Sequence, residues 1–449
     1  MLTAEEITAL KRRRLEIDCS RIEMVGGLPG HKRVYRGPGS IRQKEDHGFE
    51  VKIYATGKAK LSDTFSVGAI PAGTLVGKRS VFRFRAFDGR GRVWEGTTGR
   101  PDTNVLFGHK GYFVSGQCEE ITSTEKVGVK FKRPSLSLRA FREVKFPRNA
   151  GSEETLTTAG KLRGRSLSTD AAKFDVCDLG FLLRQDGDTF ELDAQASGNS
   201  LPARIETRVD EALRFVLATQ IPWSLIVRCE AEQEVTTVRS PSDVRSRSRL
   251  QPPLRFTDLD DDGKVWHLFG LYLSKIAKHV KPRLHPLSGQ IGAVFKAAEG
   301  SIEAEALTLG VAVESVLKAS FPRYGRLGAK TRADLKALSG YLAKWTQNPS
   351  LVKRIQGSLG GMARASASDR LFALVTKGMI AKDSFDAWKR LRNSVAHGDW
   401  PSKDLQIFVD LCGQMTVLLY QLIFLSIEYK GTYTDYGTRG YPSREYPPS

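Results

Sequence analysis

The chain has 449 residues, 40% hydrophobic and 27% charged. This composition is typical of a folded soluble protein and does not predict a disordered chain, and the length predicts two domains. Lysine and arginine number 69 against 50 acidic residues, a formal net charge of +19. The excess is uneven, with 29 basic and 16 acidic side chains in residues 1–150, 13 and 16 in 151–250, and 27 and 18 in 251–449. A phosphate-rich partner would explain two basic ends, and a well-solvated basic surface would explain them equally well.

Cysteine usage and hydropathy indicate the compartment. The five cysteines are far apart and form no CxxC pair, which predicts free thiols in a reducing environment. The first residues lack the apolar core of a signal peptide, so we expect a cytoplasmic protein. The most apolar segment, residues 415–427, is shorter than the ~20 residues that cross a bilayer. It is predicted to be a buried core helix, and no membrane span is expected.

Residues 1–250 are predicted to form a β-rich domain that senses or recognises a partner. Thr3 and Glu6 fit a capping box, which predicts a short helix to about residue 16. Runs rich in Val, Phe, Tyr, Ile and Thr between Gly, Asp and Pro predict strands across residues 48–146. Beyond them the sequence predicts a long polar loop at 149–170, a helix at 201–218 and strands at 223–229 and 234–238.

One strand has a clear two-sided pattern. Phe82 and Phe84 alternate with Arg83 and Arg85, which places an apolar face opposite a basic one. The following residues, Asp88-Gly89, predict a hairpin turn. We therefore expect an antiparallel, half-exposed sheet whose basic face either binds RNA or protein or is simply solvated.

The second half of the chain has a helical period. Residues 239–249, rich in Arg and Ser, predict a linker, and beyond it the apolar period changes from two residues to 3.6. This predicts an all-α bundle in residues 251–430, so that the fold class is α+β with two domains. The candidate helices are 263–280, 291–300, 302–320, 330–345, 367–376, 383–397 and 402–428. Residues 431–449 form a Tyr-, Gly- and Pro-rich tail with no predicted element.

Two partial motifs fail on their chemistry. Residues 258–262 imitate the start of a calcium loop, but Phe269 stands at the twelfth position, where a bidentate Glu is required. Residues 73–79 have one residue too few between their glycines for a phosphate-binding loop, and they end in Arg instead of Ser or Thr. The histidines lack metal-binding spacing. We therefore expect no metal and no cofactor.

An arginine and a histidine, Arg392 and His397, stand five residues apart in the predicted helix 383–397. A guanidinium can hold a scissile phosphate, and an imidazole that titrates near neutrality can move the proton of a ribose 2'-hydroxyl. The pair is sufficient for metal-free RNA cleavage. The same spacing recurs at Arg42 and His47, but there a polar run without apolar period predicts a solvated loop, whereas the second copy lies in a packed element.

The residues from Arg392 to Gly398, Arg-Asn-Ser-Val-Ala-His-Gly, resemble the signature of the HEPN superfamily. Upstream, residues 306–317 are similar to the early helix of Apea-type HEPN domains, and downstream, residues 429–436 resemble their terminal segment. The likeness covers about the last 180 residues in three ordered pieces, each of which is weak alone. It implies an all-α ribonuclease fold.

The resemblance also implies roles for individual residues. His397 would act as general base or acid, and Arg392 would stabilise charge on the phosphate. Asn393 would orient the histidine or bind phosphate, and Lys389 and Arg390 would bind the RNA backbone.

Two points of geometry stay open in the sequence. Five residues on an ideal helix rotate about 140°, so Arg392 and His397 do not share a face. Either the helix ends or distorts near His397, as Gly398 allows, or two chains each lend residues to one cleft. A homodimer is therefore expected, as is common in the resembling proteins. Glu314 resembles an acidic residue of the family's early helix, although a buried salt bridge would explain it equally well.

For the whole chain, the resemblance implies a bacterial, toxin-like antiphage effector. It would cleave RNA, with tRNA as one candidate, to 2',3'-cyclic phosphate and 5'-hydroxyl ends. The N-terminal domain would sense a phage-derived or cellular trigger or choose the RNA. The alternative is a catalytically inactive dimerisation module that binds RNA or protein.

Overall fold

The structure is a computed structural model, and contacts divide the chain into two compact units. The sheet unit comprises Met1–Glu206 and Ile221–Arg245, and the helical unit comprises Thr207–Gln220 and Ser246–Ser449. The backbone of residues 152–157, 160–165 and 394–397 is described without their side chains. The described residues are 2–26, 33–45, 48–56, 81–99, 101–104, 111–128, 130–148, 152–157, 160–165, 171–241, 248–257, 263–397 and 405–447.

The sheet unit is built on one 14-stranded sheet in which every neighbouring pair is antiparallel. This confirms the predicted antiparallel, β-rich N-terminal region. In chain order its strands, together with the separate hairpin β10–β11, are β1 (Glu16–Gly26), β2 (Arg33–Gln43), β3 (Phe49–Thr56), β4 (Phe82–Asp88), β5 (Val93–Thr98), β6 (Asp102–Asn104), β7 (Gly111–Cys118), β8 (Glu120–Lys126), β9 (Ser135–Ala140), β10 (Ser152–Thr157), β11 (Gly160–Arg165), β12 (Ala171–Val176), β13 (Leu179–Asp186), β14 (Thr189–Ala196), β15 (Leu225–Glu230) and β16 (Gln233–Arg239). The order across the sheet is β12-β13-β14-β9-β15-β16-β8-β5-β4-β1-β2-β3-β7-β6.

The strand β4 has the two-sided pattern that its sequence predicts. Phe82 and Phe84 are buried in the core, while Arg83 and Arg85 are exposed. The chain then turns after Asp88 into β5, which pairs with β4. Because alternate side chains of a strand point to opposite faces, the basic face of this hairpin is the solvent face.

The first 45 residues differ from their prediction. The capping box at Thr3 and Glu6 is present, but the helix α1 (Ala4–Lys11) ends before residue 16. Arg13 has a left-handed backbone, φ 57°, and the strand β1 begins three residues later. Arg42 is not in a loop but in β2, where its Nε donates to Glu16 Oε1 at 2.7 Å. His47 lies outside the described residues.

The second part of the sheet unit contains strands that were not predicted from the sequence. The predicted loop at 149–170 contains the hairpin β10–β11, with residues 152 to 157 paired to 165 to 160. The strands β12, β13 and β14 were also not predicted. The signal was available in β13, since Leu179, Phe181 and Leu183 alternate and are all buried.

The helical unit contains the helices predicted in residues 251–430, and from Thr207 onwards it also includes the helix predicted at 201–218. Its helices are α2 (Ile205–Leu217), α3 (Lys264–Ile276), α4 (Pro286–Glu299), α5 (Ile302–Ser320), α6 (Ala329–Leu342), α7 (Pro349–Met362), α8 (Ala367–Thr376), α9 (Lys382–His397) and α10 (Leu405–Ile427). The bounds of α5 and α8 are those predicted, and Ser301 and Ser366 cap their first turns. The helix α4 begins five residues earlier than predicted, with His285 as its cap.

The helix α7 was not predicted. Glycines at 357, 360 and 361 interrupt its apolar period. Two start signals were present, since the side chain of Asn348 accepts a hydrogen bond from Leu351 N and Pro349 is the first helical residue. A helix start read from these two residues would have predicted it.

The helix α10 is the core of the helical unit. Its length and composition alone would let it cross a membrane, but 72% of its most apolar 18-residue window is buried inside the protein. The predicted segment 415–427 is therefore the buried end of a 23-residue helix. The C-terminal tail forms the hairpin β17 (Gly431–Thr434) and β18 (Ser443–Tyr446), and Tyr436 Oη donates to Pro252 O at 2.7 Å.

Several sequence features fall outside the described residues. These are the rejected loops at 73–79 and 258–262, the middle of the predicted linker at 242–247, and Gly398 after α9.

Candidate functional site

The helix α9 carries most of the predicted site on its outer face. Its inner face is apolar: Phe385, Trp388 and Leu391 recur every three residues and are buried. These side chains hold α9 against the neighbouring helices α5, α8 and α10. The opposite face, which includes Asn393, is then presented to solvent, and Arg392, four residues after the buried Trp388, is exposed at the border between the two faces.

Arg392 is held from two sides. Its Nε donates a hydrogen bond to Glu314 Oε1 of α5 at 2.8 Å. Its Cζ lies 5.6 Å from the centroid of the Trp388 ring, one helical turn earlier on α9. Both contacts fix the direction of a long side chain that would otherwise sample many rotamers. The guanidinium is therefore oriented before any ligand arrives.

The ion pair leaves Arg392 able to bind an anion. The side chains of Arg392 and Glu314 are 55% and 40% exposed, so the pair lies at the surface, unlike the buried salt bridge considered for Glu314. Exposed pairs are worth only about 0–1 kcal/mol. A guanidinium has five N–H donors, and the contact with Glu314 engages the Nε donor. The η nitrogens remain to form a bidentate contact with a phosphate.

The other basic residues of the motif are also at the surface. Lys389 and Arg390 are exposed, and neither has an ion-pair partner in the described part of the chain. The Nζ of Lys389 lies 4.5 Å from the centroid of the Phe385 ring. Lys389 lies about 60° from Arg392 around α9 and shares its side of the helix, whereas Arg390 lies about 160° from Arg392 on another side.

His397 is the last residue of α9, and its side chain is outside the described atoms. The backbone is helical from Arg392 to His397, which separates the two residues by about 140° of rotation and about 7.5 Å of rise. The structure therefore brings Arg392, Glu314 and Trp388 together and places the backbone of His397 at the end of the helix. The two members of the motif start from different faces of α9.

Trp388 is the residue whose importance the sequence reading missed. The apolar period predicts only a core residue here, yet the ring both fills the core and lies under the guanidinium of Arg392. Its indole Nε1 is buried without an acceptor among the described residues. An aromatic residue four positions before an arginine on a helix was the available signal, since such residues are neighbours on the helix surface.

Comparisons with known protein families, with characterised proteins and with solved structures find no match to this chain. Among the described residues, no group of three His, Cys, Asp or Glu side chains could hold a metal ion.

Proposed function

We propose that this protein is a metal-independent endoribonuclease of the HEPN type. The observation that carries the proposal is the exposed guanidinium of Arg392, oriented by Glu314 and Trp388, five residues before a histidine at the end of the same helix. The proposal also rests on the resemblance of the three segments in the last 180 residues. The exposed Lys389 on the Arg392 side of α9, and the exposed Arg390 on the side from which His397 starts, supply the positive charge that an RNA substrate requires.

The proposed reaction is a transesterification within the RNA chain. His397 removes the proton from a ribose 2'-hydroxyl, and the 2'-oxygen attacks the adjacent phosphorus. The bond from phosphorus to the 5'-oxygen breaks, and that oxygen takes a proton from a general acid. The products are a 2',3'-cyclic phosphate and a 5'-hydroxyl. Arg392 binds the non-bridging phosphate oxygens, on which negative charge builds as the 2'-oxygen adds.

The remaining motif residues bind and orient. Asn393, next to Arg392 on the exposed face, donates its amide to a phosphate oxygen or to His397. Lys389 and Arg390 contact the neighbouring phosphates of the chain. Glu314 acts through Arg392, so it is a positioning residue and not a catalytic one.

A homodimer would resolve the geometry of the motif. Because Arg392 and His397 start from different faces of α9, a cleft between two copies can take the arginine from one and the histidine from the other. Such an enzyme would be toxic to the cell that produces it, and its role in a bacterium would be antiphage defence. The sheet unit would then sense the trigger or select the RNA, with tRNA as one candidate.

One observation favours the alternative of a catalytically inactive binding module. Arg392 already has a carboxylate partner, and an arginine that only joins α9 to α5 would have the same contact. Expression in bacteria separates the two functions. The His397→Ala protein should lose toxicity or phage protection while it keeps its oligomeric state and RNA affinity. A binding module would keep its biological effect after this substitution.

The matched control is Arg283→Ala, which removes an exposed arginine of the same unit far from α9 in sequence. It should leave toxicity unchanged. Loss of the effect in this control as well would show that the assay responds to overall charge and would contradict a role for the motif.

A further inference from the structure

A second basic surface lies on the helices α6 and α7, which the proposed active site does not include. Residues 322–364 carry nine basic side chains and one acidic side chain, Asp334. The nine are Arg323, Arg326, Lys330, Arg332, Lys336, Lys344, Lys353, Arg354 and Arg364. We call this segment the basic hairpin.

All nine cations are exposed and unneutralised. Each is at the surface, and no carboxylate in the described part of the chain lies within ion-pair distance of any of them. Elsewhere the protein pairs its exposed arginines readily, as Arg36 with Glu23 and Arg184 with Asp193. Nine like charges on one short segment repel each other, so the arrangement favours a polyanionic partner.

The basic hairpin also exposes aromatic and apolar groups. The helix α6 buries none of its residues, and α7 buries Val352 and Leu359. Tyr341 is 76% exposed, Leu338 46% and Trp345 39%. Leu335 and Leu342 are only half-buried, so α6 has a narrow packed face, and a partner that covers its exposed side would stabilise this 14-residue helix.

The aromatic rings lie among the charges. Tyr341 is three residues after Leu338 and three before Lys344, so these side chains share one face of the helix and the turn that follows it. Trp345 follows directly. Aromatic rings stack on unpaired bases, and neighbouring cations bind the phosphates of the same strand. The bases of a duplex are stacked on each other, so this surface favours a single strand.

We propose that the basic hairpin binds single-stranded RNA, with its lysines and arginines on the phosphates and with Tyr341 and Trp345 stacked on bases. The choice of RNA over DNA rests on the proposed ribonuclease function; the charge and the exposed rings do not depend on it. A second copy of this hairpin is a poor occupant, because it would bring nine more positive charges to the same surface. An anionic membrane is a separate outcome of the test.

The test measures the affinity of the full chain for a fluorescein-labelled, single-stranded 2'-O-methyl RNA by fluorescence anisotropy. This probe has no free 2'-hydroxyl and cannot be cleaved, so an active enzyme can be used. The charge variant is Lys330→Gln/Arg332→Gln/Lys336→Gln. Its control is Lys278→Gln/Lys281→Gln/Arg283→Gln, which removes two exposed lysines and one exposed arginine between α3 and α4, outside the basic hairpin and the proposed active site. The two variants have the same net charge.

A phosphate contact with a single strand contributes about 0.7 to the slope of log affinity against log salt, or about five-fold in Kd at about 0.1 M salt. Loss of three contacts should therefore weaken binding about 100-fold and reduce the slope by about 2, while the control stays within about two-fold. Tyr341→Ala/Trp345→Ala removes two stacked rings and should weaken binding at least about 30-fold, and Tyr341→Phe/Trp345→Phe should restore most of it. Because these side chains are exposed, all variants should keep the wild-type circular dichroism.

Wild-type affinity in both hairpin variants would overturn the inference. An equal loss in the hairpin and control triples would do so too, since binding would then follow bulk charge. So would binding to vesicles of phosphatidylserine with none to the RNA.

The two proposals can fail separately. Cleavage with an unchanged KM in the hairpin variants would reject the hairpin and keep the ribonuclease. Hairpin-dependent binding without any cleavage would reject the ribonuclease and keep the hairpin.

Discussion

Nε of Arg392 on α9 donates to Oε1 of Glu314 on α5 at 2.8 Å, across 78 residues of sequence. The contact joins two of the three segments that resemble HEPN domains. Glu314 belongs to residues 306–317, and Arg392 begins the motif that ends at Gly398. The same guanidinium lies over Trp388. An exposed arginine with two orienting partners is prepared to bind a phosphate and costs little entropy when it does.

Arg392→Lys should abolish most cleavage while leaving stability unchanged. An ammonium is a point charge without the planar fork that binds two phosphate oxygens, so we expect at least about a 100-fold loss of kcat. The exposed pair it breaks is worth at most about 1 kcal/mol. Single-turnover cleavage and urea unfolding measure the two quantities. A lysine variant that cleaves at the wild-type rate would contradict the assigned role.

Glu314→Gln should affect the reaction less than Glu314→Ala. The amide oxygen of Gln can still accept from Nε of Arg392, so kcat should stay within about ten-fold of wild type, whereas Ala releases the guanidinium. The difference should appear in kcat and not in the unfolding midpoint. If the two variants cleave equally, Glu314 has no positioning role.

Trp388→Ala should destabilise the helical unit by about 3–5 kcal/mol, since the ring is 1% exposed. Trp388→Phe should cost clearly less. It keeps a ring under Arg392 and removes an indole N–H that is buried without an acceptor, a burden of about 1–3 kcal/mol. Urea unfolding followed by circular dichroism compares them. Equal losses would show that the N–H is satisfied in solution.

Stability should fall as the pH drops from about 6.5 to about 4 because of His285. Burial lowers the pKa of this imidazole from its ordinary 6.5 to about 4, and the nearby charges of His279, Arg208 and Lys275 act in the same direction. The unfolded chain binds the proton in this window and the folded chain does not. His285 should therefore lower the free energy of unfolding by at most about 3 kcal/mol across this pH range.

The substitution His285→Asn isolates this effect. The Nδ1 of His285 caps α4 by accepting from Leu287 N at 3.2 Å, and Asn is also a good cap that does not titrate. Glu211, which accepts from the His285 backbone N–H, has its pKa raised by burial and titrates with the opposite sign in both proteins. The variant should show a flatter fall in unfolding midpoint between pH 6.5 and 4. An unchanged pH dependence would assign the fall to other groups.

Mixing two inactive variants tests whether one site takes residues from two chains. In a composite site, a heterodimer of Arg392→Ala and His397→Ala has one intact site, so statistical mixing should restore about a quarter of wild-type cleavage. Sites contained within single chains would give no recovery, provided that heterodimers form. A differently tagged subunit confirms their formation by co-purification.

Secondary structure was predicted correctly where it depends on residues that are close in sequence. The first residues of α5 and α8 follow from Ser301 and Ser366, whose side chains accept hydrogen bonds from the backbone N–H three residues later. The hairpin after Asp88 follows from its turn residues. The loop predicted at Arg42 is wrong, because its strand is defined by pairing with Glu16, 26 residues away, which no local period reveals.

In the candidate site too, features set by local spacing are predictable and contacts between distant segments are not. The motif residues and the exposed face of α9 follow from helical spacing, since Phe385, Trp388 and Leu391 must point inward. The partnership of Arg392 with Glu314 could not be derived, because it depends on how α5 packs beside α9. The sequence analysis does not predict the basic hairpin, because glycines interrupt the apolar period of α7. The nine basic residues against one acidic residue are nevertheless evident from the sequence.

The most direct measurement is incubation of wild type, Arg392→Ala and His397→Ala with total RNA in EDTA, followed by end-group analysis of the fragments. We predict cleavage by the wild type alone, with 2',3'-cyclic phosphate and 5'-hydroxyl ends. Equal cleavage by all three proteins, or cleavage that stops in EDTA, would contradict a metal-independent site at Arg392 and His397.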